Sequence, residues 1–136
     1  MTGKILVTTD GTESNRVAVD KAIDLAIENG YELYAITVYN TMSKDAAVIG
    51  EANITSDSVK SYCRKALLYA KQAAEARGVP IKTIMAQGTP SDVVIDISGN
   101  YDIVICGKTG KRVLHKSVSH RIEKFAHADV RVYAQS

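Results

Sequence analysis

Tryptophan is absent from this chain, phenylalanine occurs once, and there are only two prolines and two cysteines. Each scarcity excludes something. Cys63 and Cys106 lie far apart in sequence, each inside an apolar pattern, so they read as reduced core thiols and make neither a disulfide framework nor a metal-ligand set. No apolar run approaches the roughly 18 residues that a membrane-spanning helix needs. The start, Met1-Thr2-Gly3-Lys4, has no signal-peptide h-region, so the expectation is a cytoplasmic protein with no membrane partner. A net charge of +2 over 136 residues is too small for a general nucleic-acid binder, which carries a strongly basic face. His115, His120 and His127 are spaced five and seven residues apart, which puts no pair on one helical turn, and no tightly bound metal is expected.

Catalytic signatures are missing too. There is no G-x-x-x-x-G-K-[ST] loop, no G-x-S-x-G elbow and no Cys–His nucleophile pattern. A response-regulator reading needs an acceptor Asp after the third strand, where this chain has Gln87-Gly88-Thr89. A flavodoxin reading has a loop in Thr8 to Ser14 but no aromatic pair to bracket a flavin.

What is present is alternation. The length suits one domain, residues 1–136, with a sizeable core. Ile5 to Thr9 is a compact apolar, β-branched strand broken by Asp10-Gly11. Thr12 or Ser14 offers a helix cap, Ala18, Ala22, Leu25 and Ala26 recur at helical spacing, and Gly30 stops the helix. Tyr31 to Tyr39 reads as the second strand, and residues 40–54 as a long loop. A helix from about Ser56 to Ala76 has Val59, Tyr62, Cys63, Ala66, Leu67, Ala70, Ala73 and Ala74 as its expected buried stripe. Ile81 to Ala86 is the third strand. Thr89 as cap, Pro90 at the first helical position and Asp92 three past the cap then open a short helix. Tyr101 to Cys106 is the fourth strand, Val118, Ile122, Phe125 and Ala126 stripe the last helix, and Val130 to Ala134 is the fifth strand. The tyrosines read as half-buried anchors with their hydroxyls at the surface. This order predicts an α/β fold: an open five-stranded parallel sheet with helices on both faces, joined by right-handed crossovers.

Ligands of such sheets gather beyond the carboxyl ends of the strands, where the winding reverses. Two motifs fall there, Asp10-Gly11-Thr12 after strand one and Gly107-Lys108-Thr109-Gly110 after strand four. The second continues into a basic loop and the Ser-rich opening of a helix, Ser117-Val118-Ser119. From Gly107 to Lys124, six of eighteen residues are Lys or Arg, against the single acid Glu123. Glycines followed by a helix N-terminus can surround an anion with backbone N–H groups. The bland readings stand beside this one: Asp10 as a turn and helix cap, Ser117 as an N-cap, and the cations as a solvated face.

Over its full length the chain resembles the universal stress protein family. The likeness rests on its length and alternation, on Asp10-Gly11-Thr12, on G-x-x-G after strand four, on Ser117-Val118-Ser119, and on His127-Ala128 before a short apolar strand. It implies a Rossmann-like sheet, related to the adenine nucleotide alpha hydrolases, in the order 3-2-1-4-5. In nucleotide-binding members the signature is G-x-x-G followed after a spacer by G-[S/T]. Carried over, it implies that Thr8, Thr9, Asp10 and Val38 border the nucleoside, and that Gly107, Thr109, Gly110, Lys116, Ser117, Val118 and Ser119 border ribose and phosphates. The implied ligand is ATP or AMP, with Mg as a companion. The implied assembly is a homodimer through Val130 to Ala134, which would otherwise be an exposed apolar edge. The chain departs from the pattern at one place. Only five residues, Lys111 to His115, follow Gly110, a shorter spacer than the family's, and Lys116 stands where its second glycine is expected. A Cβ there obstructs backbone approach to phosphate, whereas an ammonium there supplies a point charge.

The expected function is a regulatory module of a stress response that binds an adenine nucleotide, with at most very slow ATP hydrolysis because no base is evident to position water. The alternative is a dimeric stress-associated interaction protein that binds no nucleotide. An enzyme of phosphate chemistry ranks last.

Overall fold

The computed structural model describes residues 3–9, 13–39, 56–108 and 118–134. In chain order the elements are β1 (Lys4–Thr8), α1 (Glu13–Asn29), β2 (Glu32–Tyr39), α2 (Ser56–Ala76), β3 (Ile81–Gln87), α3 (Pro90–Ile97) with a 3₁₀ turn at Ser98–Asn100, β4 (Ile103–Lys108), α4 (Val118–Phe125) and β5 (Asp129–Ala134). The strands form one sheet in the order β3-β2-β1-β4-β5, every pair parallel. That is the expected fold and strand order. β4 runs two residues further than the apolar run suggested, because Gly107 and Lys108 stay paired with Tyr133 and Ala134.

The sequence of β1 reads as uninterrupted apolar residues because both faces of a central parallel strand are covered. Ile5 and Val7 face the layer of α1 and α2, packing with Ala22, Ile23, Leu67 and Ala70. Leu6 faces the other way, with Ile36, Val104 and Cys106, against Val94 of α3 and Ile122 of α4. Small residues on α1 and α2 let both helices lie close to the sheet: Ala18, Ala22, Ala70 and Ala74 are fully buried. α2 ends where its periodicity breaks, at Gly78. Gly78 adopts a φ of 73°, a left-handed conformation open to glycine, and the Val79 amide returns to the Ala74 carbonyl at 2.9 Å, closing the helix end.

The amino ends of the central strands are stitched by Asp102. Its carboxylate accepts the Lys4 amide at 2.7 Å, its own amide donates to the Lys4 carbonyl at 2.9 Å, and its carbonyl accepts the Asp129 amide at 3.2 Å. One aspartate thereby fixes β1, β4 and β5 in register.

Four expectations, two from helical spacing and two from a capping signal, are corrected. Tyr62 and Phe125 were placed in buried stripes, yet they are 57% and 53% exposed. Helical spacing marks which face a residue is on, but the edge of a stripe is buried only if the neighbouring layer reaches that far. Thr89 does stand at the N-cap of α3 with an extended backbone, but its hydroxyl makes no cap bond. Asp92, expected to support that cap, is turned outward to Arg121 of α4 at 3.0 Å. Of the tyrosines, Tyr31, Tyr34, Tyr39, Tyr69, Tyr101 and Tyr133 are half-buried as expected.

Candidate functional site

The site is built where β1 and β4 end side by side. Their register aligns Val7 with Ile105. One residue further, the Thr8 hydroxyl hydrogen-bonds the Cys106 thiol. From this pair the chain diverges: β1 feeds α1, which packs on one face of the sheet, and β4 feeds α4, which packs on the other. That divergence is the switch point at which open α/β sheets leave a crevice.

β1 stays tied to its other neighbour beyond its last paired residue, because the Thr9 amide donates to the Ile36 carbonyl at 2.9 Å. Thr9 is buried, at 4% exposure, whereas Thr8 and Gly107 are half-buried. Val38 lies two residues past Ile36, the register partner of Thr8, and is paired with Ala86 on β3. Thr8, Val38 and Cys106 therefore share the α3–α4 face of the sheet at its carboxyl edge, with Thr9 on the opposite face. Asp10, Thr109, Gly110, Lys116 and Ser117 lie outside the described residues. Val118 and Ser119 open α4.

Sequence reading alone did not find two features of this edge. The first is how the Cys106 thiol, already expected as a reduced core group, titrates. Burial, the largest cause, and the charge of Glu123 push it up from its ordinary value of 9.0 to about 11, against the opposing pull of the Thr8 hydrogen bond. It is thus a neutral packing group and no nucleophile at neutral pH. The second is the turn after β3. Gly88 has a φ of 143°, its amide donates to the Tyr39 carbonyl at 2.8 Å, and a Cβ there would meet Val93 Cγ2 at 2.9 Å. Only glycine lets β3 turn into α3 without displacing the Val93 side chain; the Gln87-Gly88 pair in the sequence was the available signal.

Of the basic segment, the side chains of Arg121 and Lys124 are described. Arg121 is committed to Asp92 on α3, and the Lys124 ammonium stands 5.4 Å from the ring centre of Phe125.

The fold and the switch point define an open, parallel α/β module with helices on both faces. The profile of the universal stress protein family matches residues 1–133, and the chain belongs to that family. Universal stress protein MJ0531 of Methanocaldococcus jannaschii is 33% identical over 136 residues, covering 95% of this chain and 80% of its own. The structure of universal stress protein UspA from Lactobacillus plantarum superimposes with a TM-score of 0.78 at 20% identity, over 96% of this chain and 97% of that one. A universal stress protein solved in complex with cAMP superimposes with a TM-score of 0.75 at 22% identity, over 98% of each chain. Among the described residues, no helix is long and apolar enough to cross a membrane.

Proposed function

We propose that this chain is a cytoplasmic regulatory module of a stress response that binds an adenine nucleotide, ATP or AMP, at the carboxyl edge of β1 and β4. The observation that carries this reading is the side-by-side ending of those strands, paired in parallel with Val7 opposite Ile105, with the following helices on opposite faces. A crevice of that kind accepts a nucleoside between the strand ends and phosphates at a helix N-terminus. The cAMP complex of a protein with the same fold supports the ligand class. In this reading Thr8, Thr9, Asp10 and Val38 border the nucleoside. Gly107, Thr109, Gly110 and the Ser117-Val118-Ser119 turn border ribose and phosphates, and Lys116 supplies a cation in place of backbone approach. Mg accompanies ATP and is held by its phosphates.

β5 is the sheet edge beyond β4, and Val130 and Val132 are only half-buried there. A homodimer through this strand would cover them. Function is then a nucleotide-dependent change in association and not turnover.

Calorimetric titration of ligand-free protein with ATP and AMP tests the site, beside Gly110→Val and Lys116→Gly variants. Micromolar binding that Gly110→Val abolishes supports the proposal. No heat and no thermal stabilisation at millimolar ATP would overturn it, because a ligand specific for the native state raises its stability. Sedimentation with and without ATP tests the assembly, and a monomer under both conditions removes the dimer.

A further inference from the structure

α2 carries a second surface that the nucleotide reading does not use. Among the described residues the exposed large apolar side chains are Ile27, Tyr62, Leu68 and Phe125, so two of the four belong to this one helix. Leu68 is 51% exposed. Its helical neighbours one turn away in each direction are Arg64, Lys65, Lys71 and Gln72, the positions that surround a residue on a helix surface. All four are exposed. The ring therefore holds three cations and no acid.

Among the described residues, the carboxylates on this side of the molecule are engaged elsewhere. On the α1 side, Asp24 pairs with Arg77 at 2.7 Å, and Asp20 accepts a hydrogen bond from the Tyr69 hydroxyl. Arg16 stacks on that same Tyr69 ring at 4.8 Å. Glu75, one turn past Lys71, forms no ion pair with it, and neither Arg64 nor Lys65 has one among the described residues. The inward face of α2 is meanwhile spent on the sheet, through Leu67, Ala70 and Ala74.

We propose that the outer face of α2, Leu68 ringed by Arg64, Lys65 and Lys71, is a docking surface for an acidic segment of a partner protein that also presents an apolar residue. Charge complementarity selects the acid, and the exposed leucine selects the apolar contact. A nucleic acid would use the cations but leave Leu68 in contact with phosphate and water. An anionic membrane would need a broad apolar face, and that face of α2 is already buried. This inference does not rest on nucleotide binding.

The test uses the full chain, isotopically labelled for NMR, titrated with four probes. These are a synthetic peptide alternating Glu with Leu at helical spacing, the same peptide with Lys for Glu, oligo(dT), and phosphatidylserine–phosphatidylcholine vesicles. The expected result is saturable binding of the acidic peptide alone, with shifts centred on residues 61–72. Leu68→Ser should weaken it about tenfold. A paired Arg64→Glu, Lys65→Glu variant should weaken it at least as much at low salt, with a difference that shrinks as salt is raised. All these positions are exposed, so unchanged melting temperatures are expected and keep the comparison valid. Absence of peptide binding, binding that Leu68→Ser leaves intact, or stronger binding of oligo(dT) or vesicles at these residues would overturn the proposal. Nucleotide affinity measured on the same variants should be unchanged, which separates this test from that of the strand-end site.

Discussion

The Ser98 hydroxyl joins the end of α3 to the segment before β5: it donates to the Ile95 carbonyl at 2.7 Å and accepts the His127 amide at 2.9 Å. Ser98 is fully buried. The side chain thus satisfies a helix-end carbonyl and a backbone amide at a place water does not reach, and it couples the two short helices of one face.

Replacing Ser98 by alanine strands the His127 amide, while the Ile95 carbonyl keeps its bond from the Ser98 backbone N–H. The expected loss is about 1–3 kcal/mol of unfolding free energy, read by urea denaturation as a lower midpoint with an unchanged slope. A loss below ~0.5 kcal/mol would mean that water or a shifted backbone takes over the His127 bond.

At Gly88 an alanine meets two obstacles, the φ of 143° and Val93 at 2.9 Å. Gly88→Ala should cost about 1–3 kcal/mol and displace the β3–α3 turn. Resonances of Val93 and Thr89 should move in NMR spectra, whereas those of α2 should not.

Ile122 and Phe125 share the expected stripe of α4, but Ile122 is fully buried and Phe125 is 53% exposed. Ile122→Ala should destabilise by about 2–4 kcal/mol, and Phe125→Ala by no more than ~0.5 kcal/mol. Equal losses in thermal denaturation would show that Phe125 is covered in solution, as partner contact would do.

Cys106 makes stability depend on alkaline pH. Its thiol is raised from 9.0 to about 11 in the folded chain, so between those values the unfolded chain releases a proton that the folded chain keeps. Stability is therefore intact below pH 9 and falls as pH rises towards 11, by about 2–3 kcal/mol for this group alone. Tyr69 and Tyr101, both raised by burial first, add a fall in the same direction. The comparison that isolates the thiol is the wild type against Cys106→Val: the variant should lack the part of the decline that sets in near pH 9.

Much of the fold was legible because parallel strands buried on both faces cannot avoid continuous apolar runs. Ile5-Leu6-Val7 and Ile103-Val104-Ile105-Cys106 announce themselves as strands, and Gly30 and Gly78 mark helix ends. The place of the candidate site was legible, since strands one and four were expected to end together at a switch point, whereas Asp10-Gly11-Thr12 and Thr109-Gly110 lie outside the described residues. What periodicity could not reveal was the reach of each layer. Tyr62 and Phe125 have the spacing of core residues, and only the short span of the neighbouring elements leaves them in solvent.

The residues by themselves determined the order of elements, the two-faced core and the concentration of glycine and cation near the end of β4. Tertiary structure decided which side chains answer one another across that order. Thr8 meets Cys106 because β1 and β4 are adjacent in space while far apart in sequence. Arg121 turns to Asp92 because α3 and α4 share a face, and among the described residues the cations around Leu68 form no ion pair, because α1 uses its own carboxylates on Tyr69 and Arg77. Local propensity and burial act over a few residues and can be read from a string. Pairing across a sheet depends on which surfaces the folded chain brings within a few ångströms of each other.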